Sequence, residues 1–359
     1  MGLKIGLVGL MGSGKTTLFN LLTEGHTKPA GSKMAANVGM ATVPDPRIDF
    51  LSAMYKPRKT TYAQIEFTDI PGLSPEADRQ GGNTFLTAVR NVDALVLALR
   101  AFHNEQVPHP AITVDPARDL EILHTELVFA DLEVVEKRIE RLKAGKKVKD
   151  TEQAELELLT NCKEVLEGEG RLENLELTPA QAELLSGYCF LTQKPLLLVV
   201  NLDEGQWRLG DYPAKAKLEQ YSETHQIPLL AICAQTEMEI GQLPPQERVE
   251  FLKDFGITER GIDRLARATY AHLNLISFFT VGEDEVRAWA IKKDTNAKKA
   301  AGKIHSDIER GFIKAEVVKY QHLHDLGSMA RVKEKGLFQL EGKEYIMQDG
   351  DIVNFRFNV

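Results

Sequence analysis

The stretch that most constrains this chain lies near its start, Gly9-Leu10-Met11-Gly12-Ser13-Gly14-Lys15-Thr16. Before it, Leu3 to Val8 is a short apolar, β-branched run that reads as a buried strand. After it, Lys15 to Thr23 carries apolar residues at helical spacing, and Gly25 is a stop signal. A glycine-rich turn thus joins a strand to a helix in the pattern G-x-x-x-x-G-K-T. Gly9, Gly12 and Gly14 admit backbone conformations closed to other residues and let N–H groups curl around an anion, at a helix N-terminus that adds its partial positive charge. Lys15 would reach the β and γ phosphates, and the Thr16 hydroxyl would ligate Mg²⁺. The bland reading is a glycine-rich turn with no ligand; the strand and helix on either side favour phosphate binding.

A chain of 359 residues with 43% hydrophobic content has material for two or three ordinary domains. Its net charge of -8 argues against wholesale nucleic-acid coating, while leaving room for a local basic face. No apolar stretch approaches the length of a membrane span, and the N-terminus runs directly into the first strand, so neither a signal peptide nor a membrane partner is expected. Cys162, Cys189 and Cys233 are scattered, without disulfide or metal-ligand spacing, and a reducing cytoplasm is the simplest location.

Beyond the first helix, Thr27 to Val43 is a polar, Gly/Ala-containing segment where a nucleotide-sensing loop would sit, and a helix is predicted from Arg47 to about Tyr55. Tyr62 to Phe67 alternates as a strand and delivers Asp69-Ile70-Pro71-Gly72, a D-x-x-G in the place where a phosphate-binding NTPase keeps its second metal-side carboxylate. Alone this tetrapeptide is also a good turn; its distance behind the glycine-rich loop favours a functional role. Ala94 to Leu99 and Leu196 to Val200 are uninterrupted apolar runs, the mark of parallel strands covered on both faces. Between them, Pro116 to Lys143 and Asp150 to Glu167 carry helical periodicity and dense charge, an inserted antiparallel helical hairpin whose basic tip includes Lys143, Lys146, Lys147 and Lys149. A solvated surface and a partner-docking arm both fit those charges.

The second apolar strand ends in Asn201-Leu202-Asp203-Glu204, where a GTPase would carry N-K-x-D. The aspartate of that motif accepts the two N–H donors on the edge of guanine. With Leu202 in the lysine position and Glu204 in the fourth, the guanine-reading element is damaged, while Asn201 can still bond a purine. Ile227 to Ala231 reads as a further strand running into Cys233-Ala234-Gln235, in the position of a loop over the base. A helix from Glu259 to Leu275 closes this unit. Ser277 to Val359 then holds several short strand-like runs and one helix near Asn296 to Arg310, the size and order of a β-grasp fold.

Across essentially its full length the chain resembles the YchF-type Obg-like ATPases. The resemblance rests on Pro44-Asp45-Pro46-Arg47, Val114-Asp115-Pro116, Thr125-Glu126-Leu127, Ala130-Asp131-Leu132-Glu133, Glu285-Val286-Arg287-Ala288-Trp289, Ala301-Gly302-Lys303-Ile304-His305, Gly311-Phe312-Ile313-Lys314-Ala315-Glu316-Val317 and the final Phe355-Arg356-Phe357-Asn358-Val359. It implies an α/β fold: a P-loop G domain over 1–127 and 195–276, a coiled-coil-like helical insert over 128–194, and a C-terminal TGS domain over 277–359. It also implies ATP in preference to GTP, because Asn201 to Glu204 has the N-x-x-E form this family uses. Slow Mg²⁺-dependent hydrolysis and association with ribosomal particles are implied in the same way.

The expected nucleotide-binding set is Gly12, Ser13, Gly14, Lys15, Thr16 and Thr17 around the phosphates, with Asn201, Leu202, Glu204, Cys233, Ala234 and Gln235 at the base. Thr16 and Asp69 would hold Mg²⁺. Lys15 would neutralise developing charge, the Gly72 N–H would sense the γ phosphate, and His109, matching a histidine implicated in the family, would place the attacking water; Leu73 stands where other members of the wider class keep a glutamine. Lys33 occupies the place of the usual switch-I threonine, and Ser74 to Gln80 is shorter than the family's mobile segment. Those departures keep open a non-catalytic nucleotide-gated binding module; a GTP-preferring enzyme is a second, separate alternative. Lys292, Lys293, Lys298, Lys299 and Lys303 make RNA contact possible through the last domain, with no DNA expected.

Overall fold

A computed structural model describes residues 3–23, 27–28, 37–73, 84–144 and 150–358. Gly25, Ser32, Lys33, the segment Ser74 to Gln80 and the tip lysines Lys146, Lys147 and Lys149 lie outside the described residues. The chain divides into two compact units: Met1–Met40 with Glu66–Ile262, and Ala41–Ile65 with Asp263–Val359. The sequence reading puts 41–65 with the nucleotide-binding part, whereas in the structure it packs with the C-terminal residues.

A seven-stranded sheet has the order β2 (Thr27–Lys28), β3 (Asn37–Thr42), β5 (Gln64–Asp69), β1 (Lys4–Val8), β6 (Ala94–Arg100), β7 (Leu196–Asn201), β8 (Leu229–Ile232). β1 pairs in parallel with β5 and β6, and β6, β7 and β8 continue in parallel. Every residue of β6 and β7 is buried, as their unbroken apolar runs require when helices cover both faces. This is the open α/β arrangement in which ligands bind beyond the carboxyl ends of the strands. The glycine-rich loop follows β1, Asp69 ends β5, Arg100 ends β6 and Asn201 ends β7.

The insertion between β6 and β7 is the expected hairpin. Helix Pro116–Ala144 and helix Asp150–Glu167 run antiparallel, since Arg138 pairs with Glu155 and Glu136 with Lys163. Val128, Val135, Ile139 and Leu142 of the first helix share a buried cluster with Leu158, Leu159, Cys162 and Leu166 of the second. Asp131, fully buried, accepts from the Leu191 and Thr192 backbone N–H groups at 2.9 and 2.8 Å and from the Thr192 hydroxyl at 2.8 Å. It fixes the point where the chain returns toward β7.

The second unit is built on a six-stranded sheet in the order β12 (Gln339–Glu341), β11 (Phe312–Lys319), β13 (Asp351–Phe357), β9 (Leu275–Val281), β10 (Glu285–Lys292), β4 (Lys59–Thr61). β9 and β10 form an antiparallel hairpin, and β13 lies parallel to β9. The helix Ala297–Ile304 buries Ala297, Ala300 and Ala301 beside Phe278, Val317 and Val353. Together these elements match the expected β-grasp-like module. The predicted helix over 296–310 is two, broken at His305, whose extended backbone begins Ser306–Arg310.

Residues 41–65 enter this unit through β4, which pairs in parallel with β10, and through helix Pro46–Tyr55. Arg47 holds them there: it forks onto Asp45 and Asp349 and stacks 5.2 Å over Phe279. Asp349 in turn accepts the Ser277 N–H at 2.9 Å.

Candidate nucleotide site

A cleft of about 430 Å³ opens at the carboxyl ends of the strands, lined by Gly12, Gly14, Lys15, Thr16, Thr17, Phe102, His103, Asn104, Val107, Asn201, Leu202, Asp203, Ala234 and Gln235. Most of the expected set is therefore brought together. Ser13 and Cys233 are adjacent but do not line it: Ser13 is buried, and the Cys233 thiol lies 2.9 Å from the Thr236 hydroxyl.

The phosphate loop is held open by its glycines. Gly14 has φ +88, and a Cβ there would stand 2.2 Å from the Asn201 amide nitrogen. Asn201 itself is a brace: its amide donates to Ser13 O at 3.2 Å, and its carbonyl accepts the Ala234 N–H at 3.2 Å. Sequence reasoning expects Asn201 to bond a purine; in the structure both ends of its side chain join loops that surround the cleft.

Lys15 Nζ donates to Leu10 O at 2.9 Å. Burial lowers its pKa to about 8, against the opposing charge of Asp69. Asp69 is raised by burial, with the Thr16 hydrogen bond and the Lys15 charge working the other way. Thr16 Oγ1 donates to Asp69 Oδ2 at 2.9 Å, so the two expected Mg²⁺ ligands are in contact. Among the described residues no cluster of three or more His, Cys, Asp or Glu could cage a metal. Two hard oxygen donors that leave most positions to phosphate and water fit Mg²⁺, which keeps near-octahedral geometry and several waters. The D-x-x-G turn is tied to the end of β1 by Ile70 N–H to Leu7 O and to the phosphate loop by Leu73 N–H to Gly9 O, both 3.2 Å. A Cβ on Gly72 would lie 3.0 Å from Lys15 Nζ and 3.1 Å from the Met11 backbone, a tighter approach than most side chains make.

Two expectations meet a different arrangement. Glu204 does not line the cleft; it pairs with Arg208 one turn on, at the exposed start of helix Glu204–Leu209. Asp203 faces the cleft instead, with Oδ1 accepting the Gln206 N–H at 3.0 Å as the helix cap and Oδ2 accepting the His103 N–H at 3.3 Å. His109 is buried away from the cleft lining. Its Nδ1 accepts the Ala111 N–H at 3.1 Å, which puts the ring proton on Nε2, 2.9 Å from Asp119. Both ring nitrogens are thus engaged by protein partners. His103, Asn104 and Val107 line the cleft without belonging to the expected set; the sequence signal for them is Phe102, an aromatic just past a buried parallel strand.

A strand, glycine-rich turn and helix, a carboxylate at the end of the adjacent strand in contact with the helix's first threonine, and a cleft over both define a P-loop nucleoside triphosphatase. Comparison with known proteins takes the assignment further. The YchF-GTPase_C family model, described as a protein of unknown function (DUF933), matches residues 275–358, and one described as a 50S ribosome-binding GTPase matches residues 4–130. The chain is 42% identical to the ribosome-binding ATPase YchF of Bacillus subtilis and 38% identical to that of Escherichia coli O157:H7, in each case over 100% of both chains. The Schizosaccharomyces pombe YchF GTPase structure superposes with a TM-score of 0.87 at 31% identity, covering 99% of this chain and 98% of that one. The chain belongs to the YchF family.

Proposed function

We propose that this protein is a slow, Mg²⁺-dependent ATPase that prefers ATP to GTP and associates with ribosomes. One observation carries the preference: Glu204, in the fourth position of the motif, pairs with Arg208 and does not line the cleft, so the carboxylate that would read guanine is not presented to the base. Asp203 lines the cleft, but each of its oxygens already accepts one backbone N–H group. Leu202 and Phe102 give that end of the cleft an apolar character that accepts a purine face without reading the guanine edge.

Lys15 and the N-terminus of the first helix would receive the phosphates, with the Gly72 backbone against the γ phosphate. Thr16 and Asp69 would hold Mg²⁺ directly or through water, and the ion would supply neutralisation of the phosphate charge. His109 would have to leave Asp119 to orient a water. That pairing favours a second reading, nucleotide binding without useful turnover. Single-turnover hydrolysis decides between them: ATP cleavage that Lys15→Ala abolishes supports the ATPase, and tight ATP binding with no cleavage supports the module. Competition between ATP and GTP tests the preference, and tighter GTP binding would reject it.

Ribosome association comes from the relatives' description as ribosome-binding, and a cytoplasmic location follows from it. No helix among the described residues is long and apolar enough to cross a membrane. We assign the partner-facing roles to the helical hairpin and the C-terminal module. In the latter Lys292, Lys293, Lys298, Lys299 and Lys303 are all exposed. Lys298 and Lys299 sit in the first turn of helix Ala297–Ile304, where positive charge opposes the helix dipole; an RNA backbone would offset that. Cosedimentation with ribosomes, with and without ATP, tests the association.

A further inference from the structure

Arg100, the last residue of β6, is 2% exposed and is among the largest fully buried side chains in the protein. A guanidinium so placed needs partners for its donors, and it finds them on the backbone of two separate loops. Nε donates to Phe102 O and Nη2 to Asn104 O, each at 3.2 Å, and Nη1 makes a longer contact of 3.4 Å with Gly12 O in the phosphate loop. Its central carbon lies 4.4 Å from the centroid of the Phe102 ring, within cation–π range. Burial works against the charge and Asp119 supports it, while Asp119's own hydrogen bonds run to His109 and Arg118.

These contacts converge on the cleft. Gly12, Phe102 and Asn104 all line it, and the Phe102 N–H donates to Asn201 O at 3.1 Å, placing the ring beside the loop at the end of β7. We propose that Arg100 is a positioning residue that holds the phosphate loop and the Phe102–Asn104 loop in one register, with the Phe102 ring fixed as the platform for the base. A planar fork suits this task because it spans three carbonyls at set angles, whereas the point charge of a lysine serves one or two. The proposal rests on the nucleotide-binding reading of the same cleft.

The test compares ATP with inorganic tripolyphosphate, which has no base, by calorimetric titration of the full chain in Mg²⁺. In the unchanged protein the base makes ATP the tighter ligand. Arg100→Lys lowers the ratio of ATP to tripolyphosphate affinity about tenfold, Phe102→Leu lowers it to a similar extent, and the double variant shows little further loss because the two side chains act together. A role confined to stability would lower the melting temperature and leave the ratio alone. Arg100→Gln, whose single amide nitrogen can replace only one of the three donors, lowers the ratio as well, and it carries the test if Arg100→Lys does not fold. An unchanged ratio in a folded Arg100 variant, or losses that add in the double variant, overturns the proposal while ATP binding by the unchanged protein keeps the nucleotide reading intact. Failure of the unchanged protein to bind ATP removes both.

Discussion

Lys15 shows at the residue scale how the site trades stability for binding. Its pKa of about 8 lies below the ordinary value of 10.5, so across the window from pH 8 to 10.5 the unfolded chain holds a proton that the folded chain has lost. Stability from this group therefore rises with pH through that window, and below pH 8 the buried ammonium costs on the order of 3 kcal/mol. Lys15→Met is expected to raise the melting temperature at pH 7 while abolishing ATP binding; a lower melting temperature would count against this account. In the free protein the ammonium is half titrated near pH 8. With phosphates bound it stays charged, so ATP affinity falls toward tenfold per pH unit above 8, and titrations at pH 7, 8 and 9 check this. Gly14→Ala tests the loop itself: with φ +88 and a Cβ 2.2 Å from Asn201, it costs about 2–4 kcal/mol in urea unfolding through strain and a displaced brace. A loss under 1 kcal/mol would show that the loop relaxes freely.

Elements were legible in the sequence to the extent that they are buried on a regular period. β1, β6 and β7 appear as unbroken apolar runs because helices cover both faces, and the hairpin helices appear because their apolar stripes face one another. β4 and β12, three residues each with mostly polar side chains, owe their state to a neighbouring strand and leave no periodic signal. The same limit holds at the site. The phosphate loop is a local motif and could be read, whereas the turning of Glu204 onto Arg208 and of His109 onto Asp119 depends on side chains that the fold brings together. Asp131 is a tertiary tie of that kind. Asp131→Ala strands two buried N–H groups at Leu191 and Thr192 and is expected to cost about 2–5 kcal/mol. Asp131→Asn, retaining one acceptor, should fall between it and the unchanged protein in chemical denaturation, and equal losses for the two would reject the capping role.

On the scale of the whole molecule, Arg47 is one of the links, with the β4–β10 ladder, that make residues 41–65 part of the C-terminal unit. Because Arg47 and Asp349 are partly exposed, the pairing is screened, and Arg47→Met is expected to cost about 1–2 kcal/mol. The loss should appear as a lower melting temperature with ATP affinity unchanged; a matching loss of ATP affinity would contradict the separation of roles. The same threading sets a timetable for synthesis. The Thr61 hydroxyl donates to Glu285 across 224 residues of chain, and at the usual pace of translation, roughly 5–20 residues per second, that partner is made about 10–45 s later. For that interval β4 is a strand without a neighbour. Its sequence, Lys59-Thr60-Thr61, carries a cation and no large apolar side chain, the composition that keeps a waiting edge from pairing with the wrong chain.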